Sequence, residues 1–291
     1  MDLATFLATQ AVILLDGGMG TQLAKRGLSM GGQNSVTNPD HVLDIHRHYI
    51  QSGAQILITN TLTMNRMYIE THNVGVDVRE VNLKGARLAK QAAGAGRYVL
   101  GDLSSTGKLL EPYGDLPESA AYEAFKEQAA LLAEGGVDGF IIETMIDLKE
   151  TVCAVRACKS VASLPVIASL SFTTTKRGGR TTMGNSVKDC ATALAEAGAD
   201  VVGTNCGDLD PDQMAEIVAL FRENTTLPIA AQPNAGKPKL VGEQTIFDLS
   251  PQDFAAGIAK CVEAGARLVG GCCGTSPDHI RAVAELLRKE G

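Results

Sequence analysis

Tryptophan is absent from this chain of 291 residues, and aromatic residues of all kinds make up only 4% of it. A binding site built as a cage of aromatic rings is therefore disfavoured. The chain contains no apolar run near the roughly 20 residues of a membrane-spanning helix, and its first residues lack the basic flank of a signal peptide. We therefore expect a cytoplasmic protein.

Positive charge is also scarce. The 26 Lys and Arg residues against 33 Asp and Glu residues give a formal net charge of −7, which argues against general binding of nucleic acid. Hydrophobic residues make up 45% of the chain, a proportion typical of folded globular proteins. Seven cysteines, an odd number, indicate free thiols or a metal site rather than a disulfide framework.

The chain repeats one unit, a short apolar run followed by a loop and a helical pattern. The eight apolar runs are residues 12–16, 55–59, 98–101, 140–144, 165–172, 200–205, 229–233 and 267–271. They are compact rather than alternating, as is typical of parallel strands covered on both faces. Eight such units predict an α/β protein, a single (β/α)8 TIM barrel that occupies residues 1–291.

The alternative fold is a doubly wound open sheet, which binds dinucleotides at a glycine-rich turn. The segment after the first run, Asp16-Gly17-Gly18-Met19-Gly20, does not have the G-x-G-x-x-G spacing of that turn.

The sequence also marks where several helices begin. Asp210-Pro211, Ser250-Pro251 and Ser276-Pro277 each place a capping side chain before a proline, the pattern that begins a helix.

Three cysteines follow two of the predicted strands. In a barrel, the loops after the strands meet at one face, where the active site lies. Cys206 follows the sixth strand, and Cys272 and Cys273 follow the eighth. Three thiolates leave one position of a tetrahedral zinc ion open, as in catalytic zinc sites. Gly271 and Gly274 would permit the sharp turn that two adjacent ligands require.

The alternative is that these cysteines are small buried side chains at strand ends, since free cysteine is among the most buried residue types. This interpretation suits Cys153, Cys158, Cys190 and Cys261, which lie within helical patterns. Three cysteines that lie between glycines at two strand ends favour a metal instead.

Polar residues end other strands at the same face. Asp16 ends the first strand, Glu143 ends the fourth, and Asn234 follows the seventh. Acidic side chains there could bind an ammonium group, and backbone N–H groups near Gly18 could bind a carboxylate. Each residue alone could instead cap a helix or fix a loop. Together they predict a site for an amino acid whose side chain reaches the metal.

Several segments resemble the homocysteine S-methyltransferase family, and the likeness covers essentially the whole chain. They are residues 16–21 (DGGMGT), 59–61 (TNT), 143–144 (ET), 205–206 (NC) and 270–275 (GGCCGT), extended by residues 124–129 and 277–280. Within that family the chain resembles in particular the homocysteine-binding module of cobalamin-dependent methionine synthase. The paired cysteines with an upstream Asn-Cys are the most specific of these motifs.

The resemblance implies a zinc-dependent barrel that transfers a methyl group to the thiol of homocysteine and so forms methionine. Cys206, Cys272 and Cys273 match the family's zinc ligands, through which the substrate thiol is activated. Zinc coordination removes the proton from a thiol, and the thiolate is the nucleophile. No general base is then needed during the transfer itself.

The resemblance also implies roles for the substrate-binding residues. Asp16 and Glu143 match residues that recognise the ammonium group of homocysteine. Gly18 and Met19 lie where the backbone binds its carboxylate, and Asn234 lies where the family offers an oxygen to zinc before substrate binds. Two loops depart from the family pattern. Residues 104–105 are Ser-Ser where Gly-Pro is usual, and residues 207–210 lack the usual Ser and Gly-Pro.

For the methyl donor we expect methylcobalamin on a separate corrinoid protein. This expectation rests on the resemblance and on the lack of a pterin-binding or cobalamin-binding module, or of an Asp-x-His-x-x-Gly motif, in the sequence. S-methylmethionine and betaine are the alternative donors, and betaine would favour an aromatic cage. Two other functions stay open on the sequence, namely a non-catalytic protein that binds zinc and homocysteine, and a zinc-independent lyase or isomerase with Glu143 as base.

Histidines do not add to the predicted metal site. His41, His46 and His48 follow Asn38-Pro39, which begins a helix, and we predict that they lie exposed on it rather than bind a metal. His279 falls in the first turn of the last helix, where a capping or surface position is expected. No feature of the sequence indicates an oligomeric state.

Overall fold

The structure is a computed structural model that describes residues 1–242 and 244–290. Its twelve described strands are β1 (Ile13–Leu14), β2 (Ile56–Ile58), β3 (Tyr98–Leu103), β4 (Gly139–Met145), β5 (Val166–Leu170), β6 (Phe172–Thr174), β7 (Arg180–Thr181), β8 (Val201–Asn205), β9 (Ile229–Gln232), β10 (Lys239–Val241), β11 (Gln244–Ile246) and β12 (Ala266–Val269). Eight of them coincide with the eight predicted apolar runs. The remaining four form two short antiparallel hairpins, β6–β7 and β10–β11.

The eight strands form one parallel sheet in the order β1-β12-β9-β8-β5-β4-β3-β2. A parallel bridge between Leu15 and Ile56 joins the strands at the two ends of this order, and the Gln55 N–H donates to the Leu14 carbonyl (2.8 Å). The sheet is therefore closed into a barrel. This confirms the predicted fold and excludes the doubly wound open sheet, which has two free edges.

Helices surround the barrel and connect its strands. They are α1 (Leu3–Thr9), α2 (Met19–Ala24), α3 (Asn34–Thr37), α4 (Pro39–Gln51), α5 (Arg66–Thr71), α6 (Val78–Ala93), α7 (Glu118–Glu134), α8 (Leu148–Val161), α9 (Val187–Ala197), α10 (Pro211–Asn224), α11 (Pro251–Glu263) and α12 (Pro277–Glu290). The predicted helix starts are confirmed. The Asp210 carboxylate accepts from the Gln213 N–H, and the Ser250 hydroxyl accepts from the Asp253 N–H.

The barrel interior is apolar at one end and polar at the other. Leu3 and Leu7 of α1 pack against inward-facing strand residues such as Ile141 and Ile167, and so close the amino-terminal end. Acidic and amide side chains lie instead at the carboxyl ends of the strands. The carboxyl ends of the strands can therefore accommodate a polar ligand. No helix in the described part of the chain is both long and apolar enough to cross a membrane.

Two sequence predictions about helical side chains differ in outcome. Cys153, Cys158, Cys190 and Cys261 are buried in helices, as predicted. His46 was predicted to be exposed, but it is fully buried on α4, and neither ring nitrogen has a hydrogen-bond partner among the described residues. The prediction was wrong because α4 packs against α6, α2 and β2, and its buried face includes His46. His41 and His48 are exposed.

Candidate active site

A cavity of about 320 Å³ opens at the carboxyl ends of the strands. This volume lies within the range of small-molecule sites. The predicted site residues that line it are Asp16, Gly18, Met19, Glu143, Cys206, Cys272 and Cys273. The remaining predicted residue, Asn234, is buried between the loops that carry the cysteines.

The three cysteines come together although they follow different strands. Their sulfur atoms all lie within 4.8 Å of one another, and those of Cys206 and Cys273 are 3.9 Å apart. Sulfur ligands at about 2.3 Å from a tetrahedral zinc ion lie about 3.8 Å from each other. All three cysteines are partly exposed, unlike the four buried helical ones. The sulfur arrangement could therefore hold a tetrahedral zinc ion.

The electrostatics of the cluster favour a bound cation. The pKa of the Cys206 thiol is lowered because the thiols of Cys272 and Cys273 donate hydrogen bonds to its thiolate. The pKa of Cys272 is raised well above its usual range, chiefly because hydrogen bonds to Cys206 and Cys273 hold its proton. Metal ions replace thiol protons on binding, so a group of mutually hydrogen-bonded thiols is suited to hold a cation.

Asn234 braces the two loops that carry the cysteines. It follows β9, which lies between β8 and β12 in the barrel. Its Oδ1 accepts from the Cys273 N–H (3.0 Å), and its Nδ2 donates to the Gly207 carbonyl (2.9 Å). The side chain thus contacts the backbone on both sides of the sulfur cluster. Its oxygen, expected from the resemblance to face zinc, is engaged with the Cys273 amide.

The glycines of the cysteine loop act in two ways. Gly274 has φ +81°, so it makes the predicted left-handed turn. Gly271 is required for space instead, because a Cβ atom there would lie 2.5 Å from Oγ1 of Thr275. Gly18 allows a similar close approach, since a Cβ atom on it would lie 2.5 Å from the carbonyl oxygen of Cys272.

Three buried carboxyl groups line the same cavity. Asp16, Asp102 and Glu143 are 3%, 4% and 8% exposed, and all three line the cavity. Oδ2 of Asp16 accepts from the Ile58 N–H (3.0 Å), whereas Oδ1 of Asp102 and Oε2 of Glu143 have no partner among the described residues. Burial raises the pKa of all three groups, and the charge of Glu143 raises that of Asp16 and Asp102 further.

A cationic group would satisfy these carboxylates, because a buried charge is costly unless it is paired. Asp16 and Glu143 are predicted site residues, whereas Asp102 is not among the residues predicted from the sequence. The predicted strand ended at residue 101, whereas β3 continues to Leu103 and carries Asp102 into the cavity. Asp102 could have been identified by its position at the end of an apolar run, because the same signal identified Asp16.

The loop after β1 places backbone groups at the cavity. The Gly18 N–H donates to Oγ1 of Thr275 (2.9 Å), and the Gly18 carbonyl accepts from the Tyr49 hydroxyl (3.1 Å). Gly18 is thereby fixed against the cysteine loop. Met19 is the first residue of α2, so its N–H belongs to the first turn, whose amides have no partner within the helix.

His279 does not join the sulfur cluster. It is 8% exposed, its Nδ1 lies 2.8 Å from the Ser276 hydroxyl, and its Nε2 lies 3.0 Å from the Leu249 carbonyl. Of the two predicted positions, capping or surface, the surface position is wrong, because α12 packs against α11 and the Phe254 ring of α11 lies edge-on to the imidazole. The contact with Ser276, the residue directly before α12, agrees with the predicted capping position. The ring ties α12 to the loop before α11.

Comparison with known proteins gives consistent matches. A model of the homocysteine S-methyltransferase family matches residues 13–287. Methionine synthase of Mycobacterium tuberculosis (strain ATCC 25618 / H37Rv) is 32% identical over 297 residues, which cover 95% of this chain and 24% of that protein. Methionine synthase of Mycobacterium leprae (strain TN) is 32% identical over 304 residues, which cover 97% and 25%. The chain thus spans about a quarter of the length of these curated relatives.

Among solved structures, the metallated form of the homocysteine methyltransferase MmuM from Escherichia coli superposes with a TM-score of 0.78. The two chains are 22% identical, and the match covers 98% of this chain and 99% of the other. At that level of identity the match shows a shared barrel fold.

Proposed function

The chain belongs to the homocysteine S-methyltransferase family, and from this membership we propose that it transfers a methyl group to the sulfur of homocysteine and releases methionine. The observation that carries the proposal is the layout of the cavity. A cluster of three thiols and a cluster of three buried carboxyl groups open into the same space. An amino acid with a terminal thiol can reach both.

We propose that Cys206, Cys272 and Cys273 hold a zinc ion. The support is the sulfur spacing, which agrees with tetrahedral zinc, and the fact that three protein ligands leave one position for a substrate. When bound, zinc would lower the pKa of the homocysteine thiol, so that its sulfur is a nucleophilic thiolate at neutral pH.

The residues of the chain would bind and orient the substrate. Asp16, Asp102 and Glu143 would hold the ammonium group, whose positive charge offsets the cost of burying carboxylates. The Met19 N–H at the first turn of α2 would bind the carboxylate. With both ends of the amino acid fixed, its sulfur would face the thiol cluster, and this orientation lowers the barrier to transfer.

A direct experiment follows methylation of the substrate thiol by the zinc-loaded protein, with protein-bound methylcobalamin, S-methylmethionine or betaine supplied as the methyl donor. Homocysteine is compared with 4-mercaptobutanoate, which keeps the thiol and the carboxylate but lacks the ammonium group. We expect homocysteine to be methylated and the analogue to react far more slowly. The Cys206→Ala variant, prepared in parallel, is the control for methylation without the metal centre. Zinc and homocysteine binding without turnover with any donor would support a non-catalytic binding protein instead.

We propose methylcobalamin on a separate corrinoid protein as the methyl donor. The support is the motif resemblance to the homocysteine-binding module of cobalamin-dependent methionine synthase. The cavity also speaks against betaine, because Tyr68 is the only aromatic residue among the described residues that line it. Three donors distinguish the possibilities, namely protein-bound methylcobalamin, S-methylmethionine and betaine. Rapid methionine formation from S-methylmethionine, with none from methylcobalamin, would contradict the proposed donor.

A further inference from the structure

Strand β4 is irregular at the point where it delivers Glu143 to the cavity. Ile142 pairs with Ala168 of β5, and the next paired residues are Met145 and Leu170. Two residues of β4, Glu143 and Thr144, therefore lie opposite the single residue Ser169. This two-against-one arrangement is a β-bulge, a feature that re-aims side chains near active sites.

The bulge depends on an unfavourable backbone conformation. Thr144 has φ +59°, in the left-handed region. A β-branched residue rarely adopts this strained conformation, which persists only where neighbouring groups enforce it. Whatever holds Thr144 in this conformation also sets the direction of the preceding carboxyl group, that of Glu143.

The side chain of Asn205 holds the bulge from another strand. Asn205 ends β8 and is fully buried. Its Oδ1 accepts from the Thr144 N–H (2.8 Å) and from the Ser169 hydroxyl (2.8 Å). Its Nδ2 donates to Oγ1 of Thr144 (2.8 Å). The amide thus contacts both sides of the bulge, and it binds Thr144 through backbone and side chain together.

The same amide reaches the thiol cluster. Nδ2 of Asn205 lies 3.9 Å from Sγ of Cys272, within range of an N–H···S contact. The next residue, Cys206, has φ +55°, so the chain turns sharply directly after Asn205 to present the first thiol. One side chain therefore contacts the carboxyl side and the thiol side of the cavity.

We infer that Asn205 is a positioning residue that fixes the ammonium-binding carboxyl group of Glu143 relative to the metal-binding thiols. The inference rests on the proposed function for the roles of the two groups. It predicts two separable effects of Asn205, one on the affinity of the thiols for metal and one on the selectivity for the ammonium group of the substrate.

The test measures both effects without methyl transfer. The protein is loaded with Co²⁺ in place of zinc. The absorption bands of thiolate-bound Co²⁺ report how much metal the protein holds while it competes with a chelator, and this competition gives the metal affinity. The same bands then report binding of homocysteine and of 4-mercaptobutanoate, whose affinity ratio measures recognition of the ammonium group. We expect Asn205→Ala to weaken Co²⁺ binding by roughly 10–100-fold, as is typical when a partner of a metal ligand is lost. We also expect the affinity ratio to fall by roughly tenfold, as for a lost partner of a charged group.

A second substitution separates positioning from general damage. Glycine adopts positive φ without strain, so Thr144→Gly should let the bulge form without the amide. We expect the double variant Asn205→Ala/Thr144→Gly to recover the affinity ratio to within about threefold of the parent, while its Co²⁺ affinity stays low. If Asn205→Ala alone does not fold, this double variant carries the test with the same expected values.

The matched control is Ser171→Ala, which removes a buried hydrogen bond to the backbone carbonyl of Asn205 (2.8 Å) and leaves its amide untouched. We expect both measurements to match the parent. Unchanged values in Asn205→Ala, or equal losses in Asn205→Ala and Ser171→Ala with no recovery on Thr144→Gly, would overturn the inference. Failure of the proposed function is a different result, in which the parent itself binds Co²⁺ but shows no preference for homocysteine.

Discussion

The sulfur atoms of Cys206 and Cys273 lie 3.9 Å apart, although 67 positions of the chain separate the two residues. The loops that carry them follow β8 and β12, and the side chain of Asn234 spans the gap above the intervening strand β9. The barrel strands and the Asn234 side chain therefore bring the two loops together. Because these contacts do not involve the thiols, we expect that metal binding and folding can be separated by mutation.

Loss of one thiol should abolish metal binding and preserve the fold. We expect Cys206→Ala to weaken zinc binding by more than the roughly 10–100-fold that follows loss of a ligand's hydrogen-bond partner, and activity should fall with it. Circular dichroism should show an intact barrel, because the apolar core inside the barrel does not include the three cysteines. Metal analysis provides the measurement. Cys153→Ala, a buried helical control, should keep its zinc, and stoichiometric zinc in Cys206→Ala/Cys273→Ala would rule the site out.

Removal of one cavity carboxylate should weaken recognition of the ammonium group. We expect Asp102→Asn to raise the Kd for homocysteine by roughly 30-fold, since loss of a partner of a buried charge costs about 2 kcal/mol or more. Asp16→Asn and Glu143→Gln should behave in the same way. Isothermal titration of the zinc-loaded proteins gives the Kd values. Binding of 4-mercaptobutanoate should change little, and an equal loss for both ligands would show that the carboxylates do not contact the ammonium group.

The close approach of Gly18 to Cys272 should not tolerate a side chain. A Cβ atom at Gly18 would lie 2.5 Å from the Cys272 carbonyl oxygen, so Gly18→Ala must displace the cysteine loop. We expect lower zinc affinity and a lower melting temperature. Gly20→Ala is the matched control, because its nearest neighbour, Cβ of Met30, would be 3.4 Å away. Equal zinc affinity in the two variants would contradict this account of the loop.

His46 should make the fold sensitive to acid. Burial lowers its pKa from 6.5 to about 4, so the native state keeps the ring neutral while the unfolded state binds a proton below pH 6.5. The free energy of unfolding should therefore fall as the pH drops from 6.5 to about 4, by about 3 kcal/mol from this residue. Urea unfolding of His46→Leu should lack this contribution. His41→Gln, at an exposed position, should retain it, and an unchanged pH dependence in His46→Leu would refute the assignment.

Much of the fold was predictable because its signals are local. Each barrel strand is a compact apolar run, and capping residues before proline mark helix starts such as Asp210-Pro211. The cysteines could be assigned to one face because all strands of a parallel barrel end there. The rest depends on contacts between distant residues. Packing that no single segment specifies explains three features that the sequence did not predict. They are the burial of His46, the extension of β3 through Asp102 and the contact of Asn205 with Thr144.

X-ray absorption at the zinc edge tests the central claim most directly, because it counts the sulfur atoms around the metal. The account predicts three sulfur neighbours at about 2.3 Å in the zinc-loaded protein and a fourth after homocysteine is added. Methionine, which lacks a free thiol, is the matched control and should leave the count at three. A sulfur count that does not rise with homocysteine, or a metal with fewer than three sulfur neighbours at the start, would contradict the account.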